Sequence, residues 1–164
     1  MKSIVAASEV ADRLLLAIDV QRAQWTVARE PIYAAIAAAA TRYRRTVATV
    51  FVSERQLQYI EWTPDEAKGL SVDPRLMQYP RLVKTTYAVD PRLINNELQE
   101  HSLAGVDIAG FDTDVAVLGT TRHLAATGVD VRVRADLCAG IYHKEALRLL
   151  RRGDIGNERI ITEP

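Results

Sequence analysis

Leu14-Leu15-Leu16-Ala17-Ile18 is apolar at every position and stops at Asp19. A strand with one wet face alternates apolar and polar residues. A strand without alternation is covered on both faces, which is the condition of an inner strand in a parallel sheet. This run therefore requires helices above and below it, and the rest of the chain reads that way. Pro31, tolerated in a helix's first turn, opens an alanine-rich helical stretch over residues 31–44. Residues 46–52 are β-branched and apolar and read as a second strand. Residues 81–85 form a short third strand carrying Lys84. Asp90-Pro91 then starts a helix whose apolar face holds Leu93, Ile94 and Leu98. Residues 106–109 give a fourth strand ended by Gly110. Thr113 and Asp114 stand where they can cap the next helix, in which Val117, Leu118, Thr121, Leu124 and Ala125 keep helical spacing up to Gly128. Residues 129–134 alternate and read as a fifth strand nearer an edge. Residues 143–152 read as a helix stopped by Gly153, and residues 158–162 as a sixth strand.

Strands alternating with helices imply right-handed crossovers. The expected fold is α/β: a three-layer, doubly wound, six-stranded and mainly parallel sheet with helices on both faces, in a single domain over residues 1–164. Ligands of such sheets bind beyond the carboxyl ends of the strands, near the topological switch point. Asp19, Lys84 and residues 110–114 all fall there. Residues 53–80 hold Trp62, Pro64, Gly69, Pro74 and Pro80 with no clean period. They predict a long loop with one helical turn, a length that suits a lid.

Composition narrows the partners. The 164 residues are 48% hydrophobic and 26% charged with zero formal net charge, so nothing draws the chain to nucleic acid or to an anionic membrane. A single cysteine precludes an internal disulfide and suits a reducing cytoplasm. Residues 1–13 mix charges with small residues and read as neither signal peptide nor anchor, and no apolar stretch approaches the roughly 20 residues of a membrane span. The expectation is a cytoplasmic protein with a small-molecule substrate and no cofactor.

Three segments carry a resemblance. The first is the strand of residues 14–18 running into Asp19-Val20-Gln21, like a family strand that ends in Asp-x-Gln. The second is Val83-Lys84-Thr85-Thr86-Tyr87-Ala88. The third and most specific is Val106-Asp107-Ile108-Ala109-Gly110-Phe111-Asp112-Thr113-Asp114-Val115-Ala116-Val117, like Gly-x-x-Thr-Asp-x-Cys-Val. The runs 125–131 and 135–139 keep the same cadence. The chain resembles the isochorismatase-like cysteine hydrolases, which include nicotinamidases, N-carbamoyl amide hydrolases and isochorismatases.

The resemblance implies roles. Asp19 would be the general base, Lys84 its charge partner, and position 116 the nucleophile at a helix N-terminus, where the helix dipole lowers a thiol's pKa. The backbone N–H groups of Asp112 and Ala116 would form the oxyanion hole, with a cis peptide at Phe111–Asp112. Family members usually form a homodimer or homotetramer. In this chain position 116 is alanine, which has no nucleophilic atom. Either a cysteine enzyme has been disabled by a Cys→Ala change, or the chain is naturally without the cysteine. Isochorismatases proper lack it too and cleave a vinyl ether with the aspartate as acid. A non-catalytic binding or oligomeric protein is the third reading. Thr113-Asp114 sides with the amide-hydrolysing branch. The expected chemistry is hydrolysis of an amide, ureido or imide C–N bond, inactive in the Ala116 form.

The nicotinamidase branch holds a metal through Asp-x-His after the second strand, plus a further histidine. Here that region reads Ser53-Glu54-Arg55-Gln56, and the first histidine is His101. No metal is expected, and nicotinamide is not the expected substrate. Candidates to line the pocket are Trp25, Tyr59, Trp62, Tyr87 and Phe111, with core or interface packing as the alternative for each aromatic. Arg55 could hold a substrate carboxylate or face solvent. Gln21 could orient Asp19 or the loop. Asp112 could repel an anion, bind a cation or face solvent. Cys138 reads as a buried structural cysteine rather than a replacement nucleophile. His101, His123 and His143 read as surface residues on separate helices.

Overall fold

In the computed structural model, which describes residues 10–53 and 71–162 apart from the side chains of residues 154 and 157, strand β1 (Arg13–Ile18) is buried at all six positions. Its neighbours follow in the order β3-β2-β1-β4-β5-β6, with β2 at Arg45–Phe51, β3 at Arg81–Lys84, β4 at Gly105–Phe111, β5 at Val131–Ala139 and β6 at Ile160–Ile161. Every pairing between these strands is parallel. The α/β three-layer expectation holds.

The layers follow from the winding. From β1 the chain moves outward to β2 and β3, then returns past β1 and moves outward the other way through β4, β5 and β6. Right-handed crossovers in opposite directions put their helices on opposite faces. Helix α1 (Glu30–Ala40) joins β1 to β2. Its Tyr33, Ile36, Ala39 and Ala40 pack with Leu15, Ala17, Ala48 and Val50 on one face. Helices α2 (Pro91–Glu100), α3 (Leu118–Ala126) and α4 (His143–Leu149) lie on the other. There Ile94, Leu124 and Leu147 pack with Leu14, Leu16, Ile18, Val106 and Ile108. The period of two along β1 thus divides its leucines between two cores.

Three sequence expectations need correction. Strand β5 is longer than residues 129–134 and lies second from the edge, between β4 and β6, as expected of a strand nearer an edge. Its alternating charges are not solvated. Arg132 and Arg134 feed a buried network around Asp107, which is fully buried and accepts from Arg13 Nε (2.6 Å), Arg132 Nε and Nη2 (2.8 and 2.6 Å) and the Tyr43 hydroxyl (2.7 Å). Burial alone would raise the Asp107 carboxyl, but Arg132, Arg13 and Tyr43 together hold it below the usual range. Second, the helix after β4 does not start with a Thr113 or Asp114 cap. It starts as a π-helical turn, Thr113–Val117, with Asp112 at the N-cap position and no side-chain cap bond. Third, His143 is half-buried, with Nδ1 2.8 Å from Thr113 Oγ1.

Most of the loop expected over residues 53–80 lies outside the described residues. Its returning end is stitched beside β1. The Asp73 N–H donates to the Val20 carbonyl (2.7 Å), and Gln21 bridges Val72. No helix among the described residues is long and apolar enough to cross a membrane.

Candidate active site

Asp19 follows the last residue of β1 and adopts φ 52°. Left-handed backbone is uncommon outside glycine, with aspartate among the residues that tolerate it. Thr49, on the neighbouring β2, holds the turn through a reciprocal pair. The Asp19 N–H donates to Thr49 Oγ1 (3.1 Å), and the Thr49 hydroxyl donates to Asp19 Oδ1 (2.6 Å). The other carboxylate oxygen, Oδ2, accepts from Lys84 Nζ at 2.8 Å. Lys84 ends β3, so its side chain crosses the end of β2 to make this bond. It also donates to the carbonyls of Thr86 (3.3 Å) and Tyr87 (2.9 Å), and its ammonium lies 5.1 Å from the Phe51 ring centroid.

Asp19 is 3% exposed and Lys84 8%. Burial pushes the Asp19 carboxyl up, against the opposing pull of Lys84 and Thr49, and the Asp112 charge adds to the rise. Burial pushes the Lys84 ammonium down, against the attraction of Asp19. Both shifts favour the neutral forms, so a proton moves between this pair and a ligand at lower cost than between two solvated groups.

The second wall comes from β4. Gly110 pairs with Ile18 and has φ 121°. A Cβ there would collide with the Ile18 carbonyl oxygen, so only glycine lets the two strands close to this spacing. The Phe111–Asp112 peptide is cis. The Val115 and Val117 N–H groups both donate to the Asp112 carbonyl (3.1 Å each), closing the turn in which Ala116, 2% exposed, sits. The structure thus brings Asp19, Lys84, Asp112 and the Ala116 turn to the carboxyl ends of β1, β3 and β4, at the point where the sheet order reverses.

The aromatic and polar candidates separate. The Phe111 ring is fully buried in the core against Tyr33 (centroids 5.1 Å), so its side chain does not line the crevice; this corrects its assignment to substrate contact. Trp25 is 45% exposed, and its indole N–H donates to Glu30 (2.5 Å). Tyr87 is 61% exposed and stacks on Phe51 at 5.3 Å. Gln21 is buried and directs its amide to the Phe51 backbone, donating to the carbonyl (3.2 Å) and accepting from the N–H (2.8 Å). It ties β1 to β2 beneath the site. Arg55, Tyr59 and Trp62 lie outside the described residues. Cys138 is fully buried, and burial pushes its thiol up to about 12. Among the described residues no group of three or more His, Cys, Asp or Glu is placed to hold a metal.

Sequence reading missed Thr49, Phe51 and Arg29. The Arg29 guanidinium pairs with Asp112 Oδ1 at 2.7 Å and lies 4.9 Å from the Phe111 ring centroid. Asp112 is therefore paired by a cation of its own chain.

The family model described as "Isochorismatase domain" matches residues 13–159. The chain belongs to the isochorismatase family. The isochorismatase-like hydrolase from Alkaliphilus metalliredigens superposes with a TM-score of 0.73 at 16% identity, covering 93% of this chain and 95% of that one. The nicotinamidase PncA from Bacillus subtilis gives 0.70 at 15% identity, covering 91% and 98%. The pyrazinamidase/nicotinamidase from Streptococcus mutans gives 0.71 at 18%, covering 91% and 99%. At these identities the likeness is one of fold. A comparison of the sequence with curated proteins returned no match.

Proposed function

We propose that this isochorismatase-family chain carries the acid–base half of a small-molecule C–N hydrolase, acting on an amide, ureido or imide carbonyl in the cytoplasm. The observation that carries the reading is the buried Asp19–Lys84 pair, 2.8 Å apart, next to the turn that holds Ala116. A buried ion pair adds little net stability over apolar packing, so its presence at a strand-end crevice favours chemistry.

In the cysteine form of the site, Asp19 takes the thiol proton and the thiolate attacks the carbonyl carbon. The Asp112 and Ala116 N–H groups receive the oxyanion. The C–N bond then breaks as Asp19 returns the proton to the departing nitrogen. Water, deprotonated by Asp19, hydrolyses the thioester to the acid and regenerates the thiol. With alanine at position 116 the first step has no nucleophile, and the protein binds substrate without turnover. Loss of a nucleophile costs on the order of a millionfold in well-studied triads.

A second reading rests on the raised pKa of Asp19. A carboxyl that is protonated more readily than usual can act as a general acid on a vinyl ether, and that reaction needs no thiol. The deciding experiment is Ala116→Cys beside the unaltered protein, on simple amides, N-carbamoyl compounds, cyclic imides and isochorismate, following ammonia, amine and pyruvate. Turnover of a C–N substrate by the cysteine form alone supports the first reading. Pyruvate release by the unaltered protein replaces it with the second. Inactivity of both forms overturns the two together in favour of a non-catalytic binding protein.

A further inference from the structure

The reaction outlined for Asp19, Lys84 and position 116 makes no use of Arg29, yet this side chain is tied to Asp112 at the edge of that site. Its Nη2 donates to Asp112 Oδ1 at 2.7 Å. Its guanidinium carbon stands 4.9 Å from the centroid of the Phe111 ring, which is itself immobilised against Tyr33. One edge and one face of the plane are therefore fixed before any ligand arrives. A guanidinium carries five donors in a planar fork. Among the described residues the contacts made by Arg29 take one of them, and the side chain is 26% exposed. The Asp112 carboxylate belongs to the residue whose N–H would receive the oxyanion, and its charge reaches Asp19. The unspent donors of Arg29 thus stand beside Asp112, the residue next to the Ala116 turn.

Asp112 taken alone would attract a cation, but its pairing with Arg29 cancels that charge locally. What remains to recruit a ligand is a surplus of donors. This chain shows what such a surplus does elsewhere. Arg75 bridges two carboxylates at once, giving Nε and Nη2 to Asp73 (2.7 and 2.9 Å) and Nη1 and Nη2 to Glu30 (2.7 and 3.2 Å).

We propose that Arg29 is a specificity-determining residue that takes a carboxylate of the substrate, so that the preferred substrates are acids bearing the scissile carbonyl a short distance from the carboxylate. The inference rests on the hydrolase reading of the same site and deepens it by naming a substrate class. Arg29 would then bridge two carboxylates, its own Asp112 and the ligand's, as Arg75 already does.

The test is isothermal titration of the unaltered protein, which holds ligands without turnover, with malonamate and succinamate, each against its neutral diamide. The pairs differ by one oxygen replaced with an amide nitrogen. Each acid should bind about tenfold to a hundredfold more tightly than its diamide, the worth of a hydrogen-bonded charge pair. In Arg29→Gln the preference should vanish while both diamides still bind, which also shows that the variant is folded. Arg29→Lys should keep part of it, as a point charge without the fork. Equal binding of acid and diamide, a preference that survives Arg29→Gln, or no binding of any of the four would overturn the inference. Equal binding leaves the hydrolase reading standing, because that reading fails on the Ala116→Cys turnover panel and not on this preference.

Discussion

Lys84 and Asp19 meet at 2.8 Å across a strand that separates them. Among the described residues strand β3 pairs only with β2, and β2 lies between it and β1, yet the ammonium at the end of β3 closes on the carboxylate at the end of β1. The Lys84 ammonium reaches across β2 over the ring of Phe51 at the end of that strand, and Thr49 holds the carboxylate from the same strand.

Lys84→Met should cost about 3–5 kcal/mol at neutral pH, because it leaves the Asp19 carboxylate buried without a cation. The sign with pH follows from the direction of the shift. Burial already raises the Asp19 pKa, and loss of Lys84 raises it further. A carboxyl whose folded pKa is raised stabilises the fold below its unfolded pKa and loses that contribution as pH rises through the folded value. The deficit of the variant should therefore be small near pH 4 and grow toward pH 8. Urea midpoints of both proteins across that range check it, and a difference independent of pH would contradict it.

Thr49→Val keeps the volume of the side chain and removes its hydroxyl. Asp19 loses the donor to Oδ1 and the acceptor for its backbone N–H in one step. A buried polar group left without its partner costs about 1–3 kcal/mol. The variant should lose that much in chemical denaturation, while Thr49→Ser retains most of it.

The thiol of Cys138 is buried and its pKa is pushed up to about 12. In the folded protein at neutral pH it should resist iodoacetamide, and react once the chain is unfolded. A thiol introduced by Ala116→Cys stands in the first turn of the helical segment, where the helix dipole favours a thiolate. In the folded state it should react faster than Cys138, by virtue of its thiolate rather than its exposure. Mass spectrometry then finds one adduct per folded chain in the variant and none in the unaltered protein.

At the far ends of the strands, Asp107→Asn should cost about 3 kcal/mol or more, because Arg13 and Arg132 lose a buried counter-charge. The Asp107 carboxyl is held low in the fold despite its burial. Its contribution is present above the unfolded pKa near 4 and is lost as pH falls through the folded value. The gap between the two proteins should be full at pH 7 and narrow in acid below about pH 4, read by urea unfolding at both.

Much of the sheet was legible in the chain. The unbroken apolar run of β1, the β-branched run of β2 and the helical spacing of α3 each report which side of the residue is covered, and coverage on both faces is what an inner strand needs. The alternation in β5 gave a strand nearer an edge, as found, but not the place of its charges. Arg132 and Arg134 mimic a wet face, but their partners are Asp107, Tyr43 and Asp136, brought from β4, from the turn before β2 and from β5 itself. A charged residue paired inside a fold and one in solvent give the same local pattern.

The sequence by itself determined that strands and helices alternate, and that Asp19, Lys84 and the residues after Gly110 stand at strand ends. Only the tertiary structure decided who serves them. Thr49 reaches Asp19 over 30 residues of chain, Lys84 over 65, and Arg29 reaches Asp112 over 83. Periodicity records how each residue meets its own layer. Contacts at these separations depend on strand order and on the turn at each strand's end, and both are settled only when the whole sheet assembles.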